Sequence, residues 1–209
     1  MNYHEQIPGW FDFAAIYDDM VARARDGALF VEVGAYLGRS TIYLASRIKQ
    51  SGKKIRVYVV DLWDGWFYDD YRQQTPMPES ADVFWHFMRN VRGAGVDDVL
   101  CPMKIPSEKA ATLFEDGTLD FVFIDADHGF EAVRRDLRTW FPKVKRRGVL
   151  GGHDYTNNDF PGVRRAVDEF FTEQELPLQI NGTSFLVTKP SPRWVNAAMR
   201  AYRRLVPAS

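Results

Sequence analysis

The chain has 209 residues, 45% of them hydrophobic, enough to bury the core of one domain. Its 27 basic and 28 acidic side chains nearly cancel, so no net field points to nucleic acid or an anionic membrane as partner. The lone Cys101, an opening MNYHEQIPGW without signal-peptide character, and the lack of any apolar run near the roughly 20 residues that span a bilayer lead to the expectation of a cytoplasmic protein.

In chain order, Phe13, Ile16, Tyr17, Met20, Val21 and Ala24 recur at helical spacing, which predicts a helix within 10–26. ALFVEVG (28–34) reads as a buried strand, and a helix follows from Arg39 to Gln50. IRVYVVDLW (55–63) is a second strand rich in β-branched residues. A helix over 81–92 leads to a short third strand (99–104), then to a helix over 107–116 that Ser107 can cap. LDFVFID (119–125) and GVLGGHD (148–154) are the fourth and fifth strands, and each precedes a helix with an apolar stripe. PLQI and TSFLVTK pair through an Asn181-Gly182 turn. Strands alternating with helices imply an α/β, Rossmann-like, doubly wound and mostly parallel sheet of seven strands, ending in an antiparallel C-terminal hairpin strand. The expected organisation is one domain over 1–209, with its core at 28–189 and a C-terminal helix at 191–206.

The first strand runs into Glu32-Val33-Gly34-Ala35-Tyr36-Leu37-Gly38-Arg39-Ser40. In a doubly wound sheet this turn lies at the ligand edge, where glycine lets a ligand approach the backbone. A dinucleotide fold calls for G-x-G-x-x-G, whereas Tyr36 stands where the middle glycine would be. Asp61 ends the second strand, placed to accept from ribose hydroxyls. The loop and Asp61 together indicate a nucleoside rather than a dinucleotide.

EVGAYLGRST resembles motif I of class I S-adenosylmethionine-dependent methyltransferases, above all the small metal-dependent O-methyltransferases acting on catechols and caffeoyl-CoA. FIDADHGFEAVRRDLRTWFPKVKRRGVLGGHDY also resembles the group with macrolide-sugar O-methyltransferases and cephalosporin-hydroxylase-like proteins. The resemblance covers 28–189. It implies that Glu32, Gly34, Tyr36 and Ser40 surround the methionine end of S-adenosylmethionine, that Asp61 holds the ribose, that Ser107 lies near the adenine, and that Gly38 and Asp125 also belong to the cofactor site. It further implies a divalent cation, Mg²⁺ or Mn²⁺, on Asp125 and Asp154, with His128, three residues after Asp125, as general base.

The chemistry gives these parts a reason to be together. A hard cation on carboxylate oxygens acidifies and orients an acceptor hydroxyl. An imidazole, ordinarily near pKa 6.5, can take the proton at neutral pH. Asp127 has two readings, a helix start or a cofactor contact. His153 also has two. As a ligand its nitrogen would shift preference towards Mn²⁺, Fe²⁺ or Zn²⁺; otherwise it is itself the base or orients the acceptor.

Residues 62–80 (LWDGWFYDDYRQQTPMPES) are long for a connection and leave the sheet on the ligand side. They are either a substrate loop that stacks on a sugar or polyol, or an aromatic plug completing the core or a subunit contact. His86 beside Trp85 reads as structural. In the tail, Trp194, Ala198, Tyr202 and Leu205 share one helical face, expected to pack on the domain or a second copy in a homo-oligomer. The reading is an O-methyltransferase acting on a small hydroxylated molecule, with a sugar or vicinal diol as acceptor. The competing readings are an NAD-dependent oxidoreductase, disfavoured by the loop, and a non-catalytic nucleoside-binding protein, disfavoured by Asp125, His128 and Asp154.

Overall fold

The computed structural model of the chain describes residues 3–64 and 82–191. Its strands are β1 (Leu29–Val33), β2 (Arg56–Asp61), β3 (Leu100–Lys104), β4 (Leu119–Ile124), β5 (Val144–Gly152), β6 (Gln179–Asn181) and β7 (Ser184–Thr188). Its helices are α1 (Ala14–Arg23), α2 (Arg39–Ser51), α3 (Val83–Gly93), α4 (Ser107–Ala111), α5 (Phe130–Trp140) and α6 (Pro161–Glu173).

The seven strands form one sheet in the order β3-β2-β1-β4-β5-β7-β6. The first five pair in parallel, and β7 runs antiparallel to both β5 and β6. Alternation along the strands sends Phe30, Phe121 and Phe123 into one core, with α1, α2 and α3. Val31, Val33, Val122 and Ile124 enter the other, with α5 and α6. Burial on both faces explains why these strands read as continuous apolar runs. Strand order reverses between β1 and β4, and in such sheets a crevice opens at that switch point beyond the strand carboxyl ends.

Several boundaries differ from expectation. β5 begins at Val144, four residues early, because a register shift against β4 between Leu119 and Phe121 absorbs the charged Lys145-Arg146-Arg147. Helix α4 stops at Ala111, and its N-cap position is Pro106. Ser107 therefore does not cap; its hydroxyl turns to Asp136 instead. In the hairpin, Asn181 pairs with Ser184, so the turn is Gly182-Thr183, with Gly182 taking the left-handed conformation. Trp63 is 2% exposed and packs on Phe84 and Phe87, while its neighbours Leu62 and Asp64 line the cleft described below. Positions 65–80 of that segment, and the expected C-terminal helix beyond 191, lie outside the described residues. No helix among the described residues is long and apolar enough to cross a membrane.

Candidate active site

A cleft of about 900 Å³ opens beyond β1, β2 and β4 at the switch point. Its floor is the loop after β1. Gly34 sits at φ +89°, and a Cβ there would strike the Asp125 carbonyl, so only glycine lets the β1 and β4 ends pass this close. Tyr36 also takes positive φ, at +48°. The loop is held by Asp61: Oδ2 accepts from the N–H groups of Ala35 (2.8 Å) and Tyr36 (3.0 Å), and Oδ1 accepts from Trp63 N–H (2.8 Å). Burial raises the Asp61 carboxyl above its usual range, and these three donors act against that rise. Asp61 still lines the cleft.

Glu32 lies beneath the floor, 1% exposed, and is not among the cleft-lining residues. Oε1 accepts from Tyr17 Oη (2.8 Å) and Ser40 Oγ (2.7 Å), and Oε2 accepts from Thr41 Oγ1 (2.5 Å). Burial pushes its carboxyl up to about 7, against three hydroxyl donors that favour the charge. Its geometric role is to anchor the start of α2 to β1, with Ser40 between it and the cleft. Gly38 is likewise absent from the lining; a Cβ there would press on the Phe87 ring at 3.1 Å, so this glycine serves helix packing.

The acidic side of the cleft is assembled from distant segments. Asp125 follows β4, while His153 and Asp154 follow β5, with Asp154 at φ +59°. His128 Nε2 lies 2.9 Å from Asp154 Oδ2, and its ring stacks on Phe160 at 4.0 Å. Asn157 Nδ2 donates to Asp154 Oδ1 at 2.8 Å. Burial disfavours ionised Asp154, but hydrogen bonds from His128, His153 and Asn157 outweigh it and hold the carboxyl well below its usual range. One ligand atom each from Asp125, His128 and Asp154 fall within 4.8 Å of one another. Two carboxylates and an imidazole at that spacing suit a divalent cation.

His153 sits among three carboxylates. Its Nε2 faces Asp12 Oδ1 at 2.9 Å, and its Nδ1 faces Asp154 (3.2 Å) and Asp125 (3.4 Å). Burial works against a charged ring, yet hydrogen bonds to Asp125 and Asp154 overcome it and raise the pKa to about 10. His153 thus braces Asp125 and Asp154 from one side, and His128 meets Asp154 from another.

Asp127 lines the cleft and accepts from Gly129 N–H at 2.7 Å, a turn that leads into α5. Ser107 also lines the cleft. His86 is not among the lining residues. Sequence reasoning missed the segment 8–12, which walls the cleft and is tied to α2 by Arg39 Nη1 donating to the Gly9 carbonyl (2.5 Å). Within it, Asp12 reaches both His153 and Thr183 Oγ1 (3.0 Å). No local pattern links Asp12 to a histidine 141 positions away. Asp136, buried and lining the cleft, was also missed, although a carboxylate on the apolar stripe between Val133 and Trp140 is a readable signal.

Among known proteins, a Mycobacterium tuberculosis protein named "Probable O-methyltransferase Rv1703c" is 34% identical over 117 residues, covering 52% of this chain and 41% of the relative. The chain thus spans less than half of that relative's length. The solved structure of cofactor-bound Rv0187 from MTB superimposes with a TM-score of 0.63 at 18% identity, covering 90% of this chain and 87% of that one. The O-methyltransferase NovP gives a TM-score of 0.59 at 18% identity, covering 85% and 79%. At such identities the structural likeness speaks to the fold. The description "Methyltransferase domain" matches residues 31–155, more than half of the sequence and both sides of the cleft, and the chain belongs to that methyltransferase family.

Proposed function

We propose that this protein transfers a methyl group from S-adenosylmethionine to a hydroxyl of a small molecule, a sugar or vicinal diol, assisted by a divalent cation on Asp125 and Asp154. The observation that carries the reading is the Asp125–His128–Asp154 cluster, opening on the same cleft as the glycine loop. When bound, the donor supplies an electrophilic methyl group and the cation acidifies the acceptor hydroxyl.

The chain's own residues do the rest. Asp61, which lines the cleft, fixes the loop backbone that receives the donor and keeps one acceptor site on Oδ1 for a ribose hydroxyl. Gly34, Tyr36 and Ser40 border the methionine end, with Glu32 supporting Ser40 from below. Asp127 and Ser107 lie on the base side. Asn157 and His153 hold Asp154 ionised and aimed, so that little reorganisation accompanies reaction. His128, which lines the cleft beside Asp154, takes the acceptor proton. Trp10, Tyr36 and Phe160 line the cleft among carboxylates, a surface that suits an uncharged polyhydroxylated ring.

The compact cluster also favours a second reading, in which His128 is the third ligand rather than the base. One experiment separates the parts. Calorimetry with S-adenosylmethionine and paramagnetic titration with Mn²⁺ are run on the parent chain and on Asp125→Asn, Asp154→Asn and His128→Ala. Each aspartate variant should weaken Mn²⁺ by more than about ten-fold, the scale reached by altering even outer-shell partners. His128→Ala keeping its Mn²⁺ affinity supports the base, and losing it supports the ligand. A parent chain that binds the donor but no Mn²⁺ rejects metal assistance.

A further inference from the structure

The chain entering α1 holds the ring of His153 with consecutive residues, Asp12 and Phe13. Asp12 Oδ1 lies 2.9 Å from His153 Nε2, and the Phe13 ring lies 5.0 Å from the imidazole, centroid to centroid. Phe13 is buried in the core, so it cannot follow the imidazole if that ring turns. The His153 backbone is fixed as well, its N–H donating to the Ile124 carbonyl at the end of β4 (3.1 Å). Rotation about χ1 and χ2 is the freedom that remains, and Asp12 and Phe13 are placed to restrict it.

Asp12 is itself anchored. Thr183 Oγ1, in the turn between β6 and β7, donates to its carboxylate, 3.1 Å from Oδ1 and 3.0 Å from Oδ2. The Asp12 side chain is 57% exposed, and an ion pair so open to solvent contributes little to stability. Its effect is one of direction. An ionised carboxylate only accepts, so Asp12 keeps Nε2 as a donor and turns Nδ1 towards Asp154 (3.2 Å) and Asp125 (3.4 Å). Those carboxylates are unequally supported. Asp154 also has His128 and Asn157, whereas His153 is the one side chain paired with Asp125 among the described residues.

We propose that Asp12 is a positioning residue for the cation site: through His153 it fixes Asp125 beside Asp154 and thereby raises affinity for a divalent ion. The inference rests on the cation reading above and extends that site to the N-terminal segment. Partners outside the ligand set raise affinity by holding the ligands in place before the ion arrives. Without Asp12 the imidazole can turn about χ2 and Nδ1 leaves Asp125. Ordering that carboxylate again then weakens binding.

The test is a paramagnetic titration with Mn²⁺ on the parent chain, Asp12→Ala and Asp12→Asn, with calorimetry of S-adenosylmethionine as the control. Asp12→Ala removes the acceptor and should weaken Mn²⁺ by about ten-fold, the lower end for partners outside the ligand set. Asp12→Asn keeps an amide oxygen that can accept from His153 Nε2. Its affinity should stay within about three-fold of the parent, the scale of exchanging a charged hydrogen-bond partner for a neutral one. Donor affinity should hold in both variants. Thermal melting checks folding; if Asp12→Ala is unfolded, Thr183→Val carries the test. That change loosens Asp12 without altering any charge, and should weaken Mn²⁺ by about three-fold, the loss of a single hydrogen bond.

A folded Asp12→Ala, or the substitute Thr183→Val, that keeps the parent's Mn²⁺ affinity overturns the proposal. Equal losses in Asp12→Ala and Asp12→Asn would mean that charge alone acts, and would overturn it too. So would a parallel fall in Mn²⁺ and donor affinity, which marks a general role in shaping the cleft. A parent chain that binds no Mn²⁺ removes the cation reading itself, and this inference with it.

Discussion

The glycine loop after β1 and the acid–histidine cluster beyond β4 and β5 border one cleft but are built from different materials. The loop is shaped by backbone: positive φ at Gly34 and Tyr36, and three N–H groups gathered by Asp61. The cluster is shaped by side chains from segments far apart, with Asp12, Asp125, His128, His153 and Asp154 meeting only after folding. The first region tolerates almost no change of shape, because backbone cannot move aside. The second is held by side-chain contacts, several of them to Asp154 and to His153.

Three changes would break or sharpen that contrast. The largest effect is expected from Gly34→Ala, since the added carbon meets the Asp125 carbonyl and the residue sits at φ +89°. A loss of about 4 kcal/mol, at the diagnostic end of single substitutions, should appear in urea unfolding together with loss of S-adenosylmethionine binding. A near-neutral result would show that the two strand ends can part.

The next concerns the support beneath the loop. Glu32 has its folded pKa raised from 4.5 to about 7, so the folded state holds this proton where the unfolded chain has released it. Its contribution is then most favourable below pH 4.5 and declines as pH rises to about 7, by about 3 kcal/mol in all. Glu32→Gln should flatten that part of the stability profile, measured by denaturant midpoints from pH 4 upward as about the same shift. An unchanged profile would mean that the three hydroxyl donors stabilise the carboxylate more than burial opposes it.

The smallest effect is expected on the cluster's outer edge. Thr183→Val removes hydrogen bonds to Asp12 that lie near the surface, and should cost about 0.5–1 kcal/mol in denaturant unfolding. A loss as large as that of Gly34→Ala would erase the contrast between the two regions.

Much of the fold was legible because it rests on local periodicity. The alternation of Phe121, Val122, Phe123 and Ile124 between two cores follows from strand geometry alone. The start of β5 was not legible, because Lys145-Arg146-Arg147 masks a strand that only its register against β4 reveals. The hairpin turn slipped by one residue, since Asn-Gly is a strong signal but pairing of Asn181 with Ser184 decides the register. In the site, Asp125, His128 and Asp154 were singled out and the structure brings them together. Glu32 and Gly38 were also singled out, but the fold turns them away from the cleft to support it.

By itself the sequence determined the order of strands and helices, the glycine loop with its companion Asp61, and the set of acids and histidines at the strand ends. Each follows from patterns inside single segments, where φ/ψ preference and side-chain spacing act directly. Only the tertiary structure decided which histidine faces which carboxylate, that Asp12 closes the site from the N-terminal segment, and that Ser107 turns to Asp136 rather than capping its helix. Those outcomes depend on hydrogen bonds formed after burial removes water as the competing partner, between groups that the chain alone leaves far apart.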